Sequence, residues 1–174
     1  MGPEMKDSGT ISINEMKLPK REAEQPILWF ALSTRNGQWK KLSFTLAHLG
    51  IEYYIPASYN TLLFLHSQKE RALSLVNSGE IKGRFLIDHS TRTLLIVPDK
   101  QMEDFIRVLD LSPEAECLTD ATLVKGDRVK VVKGPLGGVE GEIVEAEEGN
   151  FLVVRVMSLL CAKVKIPRNY VVPL

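Results

Sequence analysis

The sequence predicts an α+β chain in two units: a ferredoxin-like split βαβ unit followed by an all-β, SH3-like barrel. Three observations predict it. Before residue 110, short apolar runs alternate with segments whose apolar residues recur every three or four positions, in the order β-α-β-β-α-β-β-α. After residue 123 only short strands remain, punctuated by Gly-Pro and Gly-Gly turns. Between them, residues 110–122 are acidic, carry Pro113 and have no long apolar stripe, which reads as a linker.

Residues 1–26 are polar and mixed in charge, without periodicity, and read as a mobile arm. The first unit, 27–109, opens on ILWFAL (27–32), a short aromatic and branched run of the kind a buried strand uses. Trp39, Leu42, Leu46 and Leu49 follow at helical spacing, and Gly50 supplies the stop. A strand over 52–55 ends at Pro56, and 61–66 (TLLFLH) is the next. Residues 68–78 predict a helix with Ala72, Leu73 and Val76 inward and Gly79 beyond its end. Strands over 84–88 and 93–97 flank the polar HSTR at 89–92. Asp99 is positioned to cap a last helix with an apolar face of Met102, Phe105, Ile106 and Leu109. Helices on one face of one sheet would leave the other face open.

The second unit, 123–174, predicts strands over 128–133, 139–146, 151–157, 162–166 and 170–172. Gly134, Pro135, Gly137 and Gly138 make the first turn, and Gly141 opens the strand after it. Strands this short bury little unless they close on themselves, so a barrel is expected.

Bulk properties narrow the function. Lys plus Arg equals Asp plus Glu, at 22 each, which argues against adhesion to nucleic acid or membrane through total charge. Cys117 and Cys161 form no CxxC pair, as expected of a reducing cytoplasm. No apolar run approaches a membrane span, and the first residues lack the order of a signal peptide. The expectation is a cytoplasmic monomer without membrane contact.

No chemistry-bearing constellation emerges. GPLGG at 134–138 is followed by a strand and lacks the Lys-Ser/Thr of a phosphate loop, so its glycines are turn chemistry. His48, His66 and His89 lie far apart, and none pairs with a cysteine at metal-ligand spacing. Cys117 sits among acids, which would raise a thiol's pKa. The chain is expected to be no enzyme, with no cofactor and no metal. Lys125, Arg128, Lys130, Lys133, Lys163, Lys165 and Arg168 sit on the barrel, but Glu140, Glu142, Glu145, Glu147 and Glu148 offset them, so nucleic-acid contact there is expected to be weak or indirect.

GDRVKVVKGPLGGVEG at 126–141 resembles the KOW module, and VKIPRNYVVPL at 164–174 matches that module's closing strands. With the split βαβ pattern ahead of it, 27–174 resembles the NusG family of transcription elongation factors. ILWFAL looks like the family's opening strand, and TLLFLHS at 61–67 occupies the place of its FPGYVFV strand. PDKQM at 98–102 is similar to the UpxY-type paralogues of Bacteroidetes, which are associated with antitermination in polysaccharide operons. The chain departs from the family in one place. Only PASYN (56–60) joins two strands between which relatives carry a long basic stretch.

The resemblance implies a factor that docks on the clamp helices of RNA polymerase through Trp29, Tyr59, Leu62 and Phe64 on the open sheet face. It implies a second partner on the barrel, a ribosomal protein or the Rho terminator, met at a strand edge near Phe151, Val153 and Arg155. Two alternatives remain: a KOW-containing ribosome-associated or RNA-binding protein, and a trans-acting inhibitor of related antiterminators, for which the short 56–60 connection would be the reason.

Overall fold

The computed structural model describes residues 25–119 and 123–174, so the arm read over 1–26 lies almost wholly outside the described residues. Strand β1 (Ile27–Ser33) is central to the first sheet. It pairs antiparallel with β3 (Leu62–Gln68), and β3 carries β2 (Glu52–Tyr54) on its far side. On its other edge β1 meets β4 (Arg84–Phe85) and then β7 (Ile96–Val97). These two behave as one interrupted strand. Between them the chain loops out as a hairpin of β5 (Ile87–Asp88) and β6 (Thr93–Leu94), closed at its base by Leu95 N–H donating to Leu86 O at 2.9 Å. The two continuous strands expected over 84–97 are therefore broken.

Alternation decides which residues face which layer. Phe30 and Leu32 of β1 share a face with Leu63 and Leu65 of β3. Helices α1 (Trp39–Leu49) and α2 (Lys69–Asn77) cover it with Leu42, Leu46, Ala72 and Leu75. Gly50 ends α1 in the left-handed region at φ 70°, as its position predicts. In α2 it is Leu75, with Ala72, that is buried, while Leu73 and Val76 flank it.

The opposite face, with Trp29, Ala31 and Phe64, was expected to be open and is not. Helix α3 (Asp99–Leu111) lies on it, with Met102, Phe105 and Val108 fully buried. Phe105 meets Phe64 and Tyr54 edge-on, at 6.3 and 6.1 Å between ring centres. The physical reason is the width of the apolar surface of α3. Met102, Phe105, Ile106, Val108 and Leu109 span too much of its circumference for one contact, so α3 packs on the sheet and on the second unit together. The helix begins at Asp99 itself after Pro98, and Asp99 makes no side-chain cap.

The second sheet comprises β8 (Glu116–Thr119), β9 (Asp127–Val131), β10 (Glu140–Ala146), β11 (Gly149–Val156), β12 (Leu160–Lys165) and β13 (Val171–Pro173). All its pairings are antiparallel, in the order β13-β9-β10-β11-β12-β8. The last strand, β13, thus pairs with β9, leaving β13 and β8 at the two edges, and the apolar side of the sheet (Val129, Val131, Leu152, Val154, Val164) joins the core containing Trp29 and Phe105. Strand β8 corrects the expected linker. Residues 116–119 pair with β12, and α3 runs on to Leu111, so little of 110–119 is free chain. The remainder of that linker, 120–122, lies outside the described residues.

Candidate functional site

The register places Trp29 opposite His66, Ala31 opposite Phe64 and Ser33 opposite Leu62, so Trp29, Leu62 and Phe64 do share one face, as alternation predicts. Tyr59 joins them from a short 3-10 turn, Ala57–Tyr59, that fills the connection between β2 and β3. The residues are brought together but not all presented. Trp29 is 4% exposed and Phe64 fully buried, whereas Tyr59 and Leu62 are partly exposed. Trp29 and Phe64 are core under α3, which corrects their expected place on a docking surface.

Trp29 stacks on His66, with ring centres 4.3 Å apart and planes 7° from parallel. His66 Nδ1 lies 2.6 Å from Glu52 Oε1, and its buried Nε2 has no hydrogen-bond partner, with Asp99 Oδ1 at 4.0 Å. The pair Glu52–His66 therefore anchors β2 to β3 next to the start of α3. Tyr54, on the same edge, has its hydroxyl pushed up to about 12 by burial, then by the charge of Asp110 and by Cys117. Burial, with Cys161 behind it, pushes the Cys117 thiol up to about 11; the acids of the segment are not the cause.

Four side chains of α3 tie it to the second sheet and its first turn. Lys100 donates to Gly138 O at 2.9 Å and pairs with Asp104 at 3.1 Å. Asp104, buried, accepts from Glu140 N–H at 3.0 Å. Arg107 donates to Pro135 O at 3.0 Å, and Gln101 accepts from Met157 N–H at 3.0 Å. The turn at 134–138 is thus both a turn and a docking point. Gly134 and Gly138 adopt φ of 81° and 95°, Pro135 and Gly137 lie between them, and a Cβ at Gly141 would stand 2.5 Å from Val153 O.

The barrel surface expected at Phe151, Val153 and Arg155 is also corrected. Strand β11 is interior, flanked by β10 and β12, so it offers no edge. Val153 is fully buried. Arg155 donates from Nε to Glu142 Oε2 at 2.7 Å, while Glu142 Oε1 accepts from Gly126 N–H at 2.9 Å. Phe151 is partly exposed, under Lys163 Nζ at 4.3 Å from its ring centre. The edges of this sheet are β8 and β13.

One feature escaped the sequence reading. A cleft of about 580 Å³ is lined by Ser33, Thr34, Arg35, Gln38, Lys82, Gly83 and Arg84, with no carboxylate among them. Its cations come from two distant segments that the pairing of Ser33 with Arg84 brings together. Gly83 permits the approach, since a Cβ there would lie 3.2 Å from Ser33 O. Thr34 Oγ1 is buried there without a hydrogen-bond partner, and α1 begins beside it with no side-chain cap and no acid in its first turn. A neutral total charge hid the segregation. The available signal was the absence of any acid between Glu24 and Glu52.

No protein-family model and no curated protein matches the chain. Among solved structures it is similar to a chain in the crystal structure of the MjSpt4:Spt5 complex, conformation A. The identity is 14%, over 84% of this chain and 98% of that one, with a TM-score of 0.31. At that score the functional reading rests on the residues and their geometry. Among the described residues, no helix is long and apolar enough to cross a membrane.

Proposed function

We propose that this chain is a transcription elongation or antitermination factor of the NusG type, a non-catalytic cytoplasmic adaptor that docks on RNA polymerase through its first unit. The observation that carries the reading is the succession of the two sheets. A β2-β3-β1-β4 antiparallel sheet with two helices on one face is followed by a small antiparallel sheet whose last strand, β13, pairs with β9. The first turn of that second sheet is the Gly134–Gly138 motif, and Gly141 packs against the strand opposite.

Within this reading the polymerase contact is assigned to Tyr59 and Leu62, the partly exposed members of the set, beside half-buried Tyr54 and Ile106. Trp29 and Phe64 support them from beneath. A few part-buried aromatics can supply most of the free energy of a helix-in-groove contact. The second partner, a ribosomal protein or Rho, is assigned to an edge strand of the second sheet, β8 or β13.

The test is retention on immobilised core RNA polymerase together with a pausing assay on a linear template. Wild type is expected to be retained and to shorten pauses. Tyr59→Ala with Leu62→Ser is expected to lose both effects while keeping its circular dichroism spectrum. Absence of wild-type retention, or equal retention of the variant, would sink the docking model.

A further inference from the structure

We infer that His66 is a pH-sensitive latch that fastens the start of α3 to the first sheet. The sheet register sets its parts in one row. Glu52 of β2 lies opposite His66 of β3, His66 lies opposite Trp29 of β1, and Trp29 lies opposite Val97, two residues ahead of Asp99. Asp99 is the first residue of α3. His66 therefore has a carboxylate oxygen from β2 at one ring nitrogen, 2.6 Å away, and one from α3 at the other, 4.0 Å away. Its ring is stacked on Trp29, and its side chain is 21% exposed. Arg71 of α2 lines the neighbouring cleft but is turned to Leu49 O at 3.3 Å. Lys100, next to Asp99, is turned to Gly138 O and Asp104. Neither cation is drawn into the row.

Geometry assigns the tautomer. At 2.6 Å from Glu52 Oε1, Nδ1 must carry a proton, because two lone pairs facing each other at that distance repel. In the neutral ring Nε2 is then a bare acceptor. It is buried without a hydrogen-bond partner, and the polar atom on that side, Asp99 Oδ1, is a second acceptor. A proton taken from solvent turns Nε2 into a donor, and the imidazolium then has a carboxylate at each nitrogen. Closing the 4.0 Å gap to hydrogen-bond length needs a movement of about 1 Å at Asp99. Acid thus converts one anchor, β2 to β3, into two in series, β2 to β3 to α3. The second partner exists only while α3 is seated, so falling pH tightens the start of α3 and rising pH releases it.

The latch is a property of the free chain and goes beyond the polymerase reading, so either can fail alone. The test uses the full chain without polymerase. Imidazole ¹H–¹⁵N spectra of the wild type are expected to show neutral His66 as the Nδ1–H tautomer, and this readout depends on no variant folding. Trp39→Phe leaves Trp29 as the one tryptophan. An imidazolium stacked on indole quenches it, so Trp29 emission is expected to fall about twofold from about pH 8 to about pH 5. His66→Gln in the same background is expected to abolish that change. Hydrogen exchange over 99–102, corrected for the intrinsic effect of pH, is expected to slow on acidification about threefold more in wild type than in Asp99→Asn. A neutral Nε2–H tautomer, a pH-dependent emission that survives His66→Gln, or an equal exchange response in Asp99→Asn would each overturn the proposal.

Discussion

Asp104→Ala tests whether α3 and the second sheet are packed as one body. Asp104 sits on α3 with its side chain 4% exposed. Its Oδ2 accepts from the backbone N–H of Glu140 in β10 at 3.0 Å, and its Oδ1 from Lys100 Nζ at 3.1 Å. A buried hydrogen bond to a charged acceptor, removed so that its donor is orphaned, costs about 2 kcal/mol. The Lys100 pair adds little, about 0.5 kcal/mol or less, because the lysine is half exposed and the pair is screened. The total is about 2–3 kcal/mol. For a chain of this size each kcal/mol moves Tm by about 2–4 °C, so the expected fall is about 5–10 °C. Thermal unfolding followed by circular dichroism reads it, with urea unfolding as a second measure. Asp104→Asn keeps an acceptor for Glu140 N–H and is expected to lose less than half as much. Were α3 not seated on the barrel, Asp104 would be a surface residue and its loss would fall within about 0.5 kcal/mol; that result refutes the interface.

Three further outcomes follow from the geometry. Glu142→Ala removes the carboxylate shared by Arg155 Nε and Gly126 N–H, while Arg155 Nη2 keeps Leu123 O and Val124 O, and is expected to cost about 2–3 kcal/mol in urea unfolding. Gly141→Ala places a Cβ 2.5 Å from Val153 O between two paired strands and is expected to cost at least about 3 kcal/mol, or to abolish folding of the barrel by near-ultraviolet circular dichroism. Alkaline stability reports Cys117 and Tyr54, acids whose neutral forms are the buried ones. Their folded values are raised, from 9.0 to about 11 and from 10.0 to about 12, so their contribution is complete below pH 9 and is lost as pH rises through 9–11 and then 10–12. A urea midpoint that rises above pH 9 would contradict the assigned burial.

The parts of the fold legible in the sequence are those set by local period. ILWFAL alternates correctly, Gly50 ends α1 in the left-handed region, and Gly134 and Gly138 take positive φ where a turn was read. What local period cannot supply is what a surface packs against. Met102, Phe105, Ile106 and Leu109 announce an apolar face on α3, but not that Asp104 is buried too, because its partner is the backbone of Glu140, 36 positions further on. In the same way Phe151, Val153 and Arg155 read as an accessible strand edge until β12 pairs with β11 and makes it interior. The cationic cleft was illegible for the converse reason: summing charge over the chain discards where the charges sit.

The burial of Trp29 and Phe64 decides how a partner can use this face. Reaching them requires lifting α3 from the sheet, which exposes Met102, Phe105 and Val108, all fully buried. At about 1.5–3 kcal/mol for each side chain, that costs about 5–9 kcal/mol before any hydrogen bond to the barrel is counted. A partner binding the opened form with an intrinsic free energy equal to a micromolar Kd, about 8 kcal/mol, would have little or none left. Tyr59 and Leu62 carry no such cost, since both already reach the surface at the rim of the same core. A rim contact therefore wins over a buried one unless the partner also supplies a replacement for α3. The two cases separate in hydrogen exchange. Binding at the rim leaves the amides of α3 as protected as in the free chain, whereas displacement of α3 exposes them on complex formation. Faster exchange across 102–108 in the complex would refute the rim assignment.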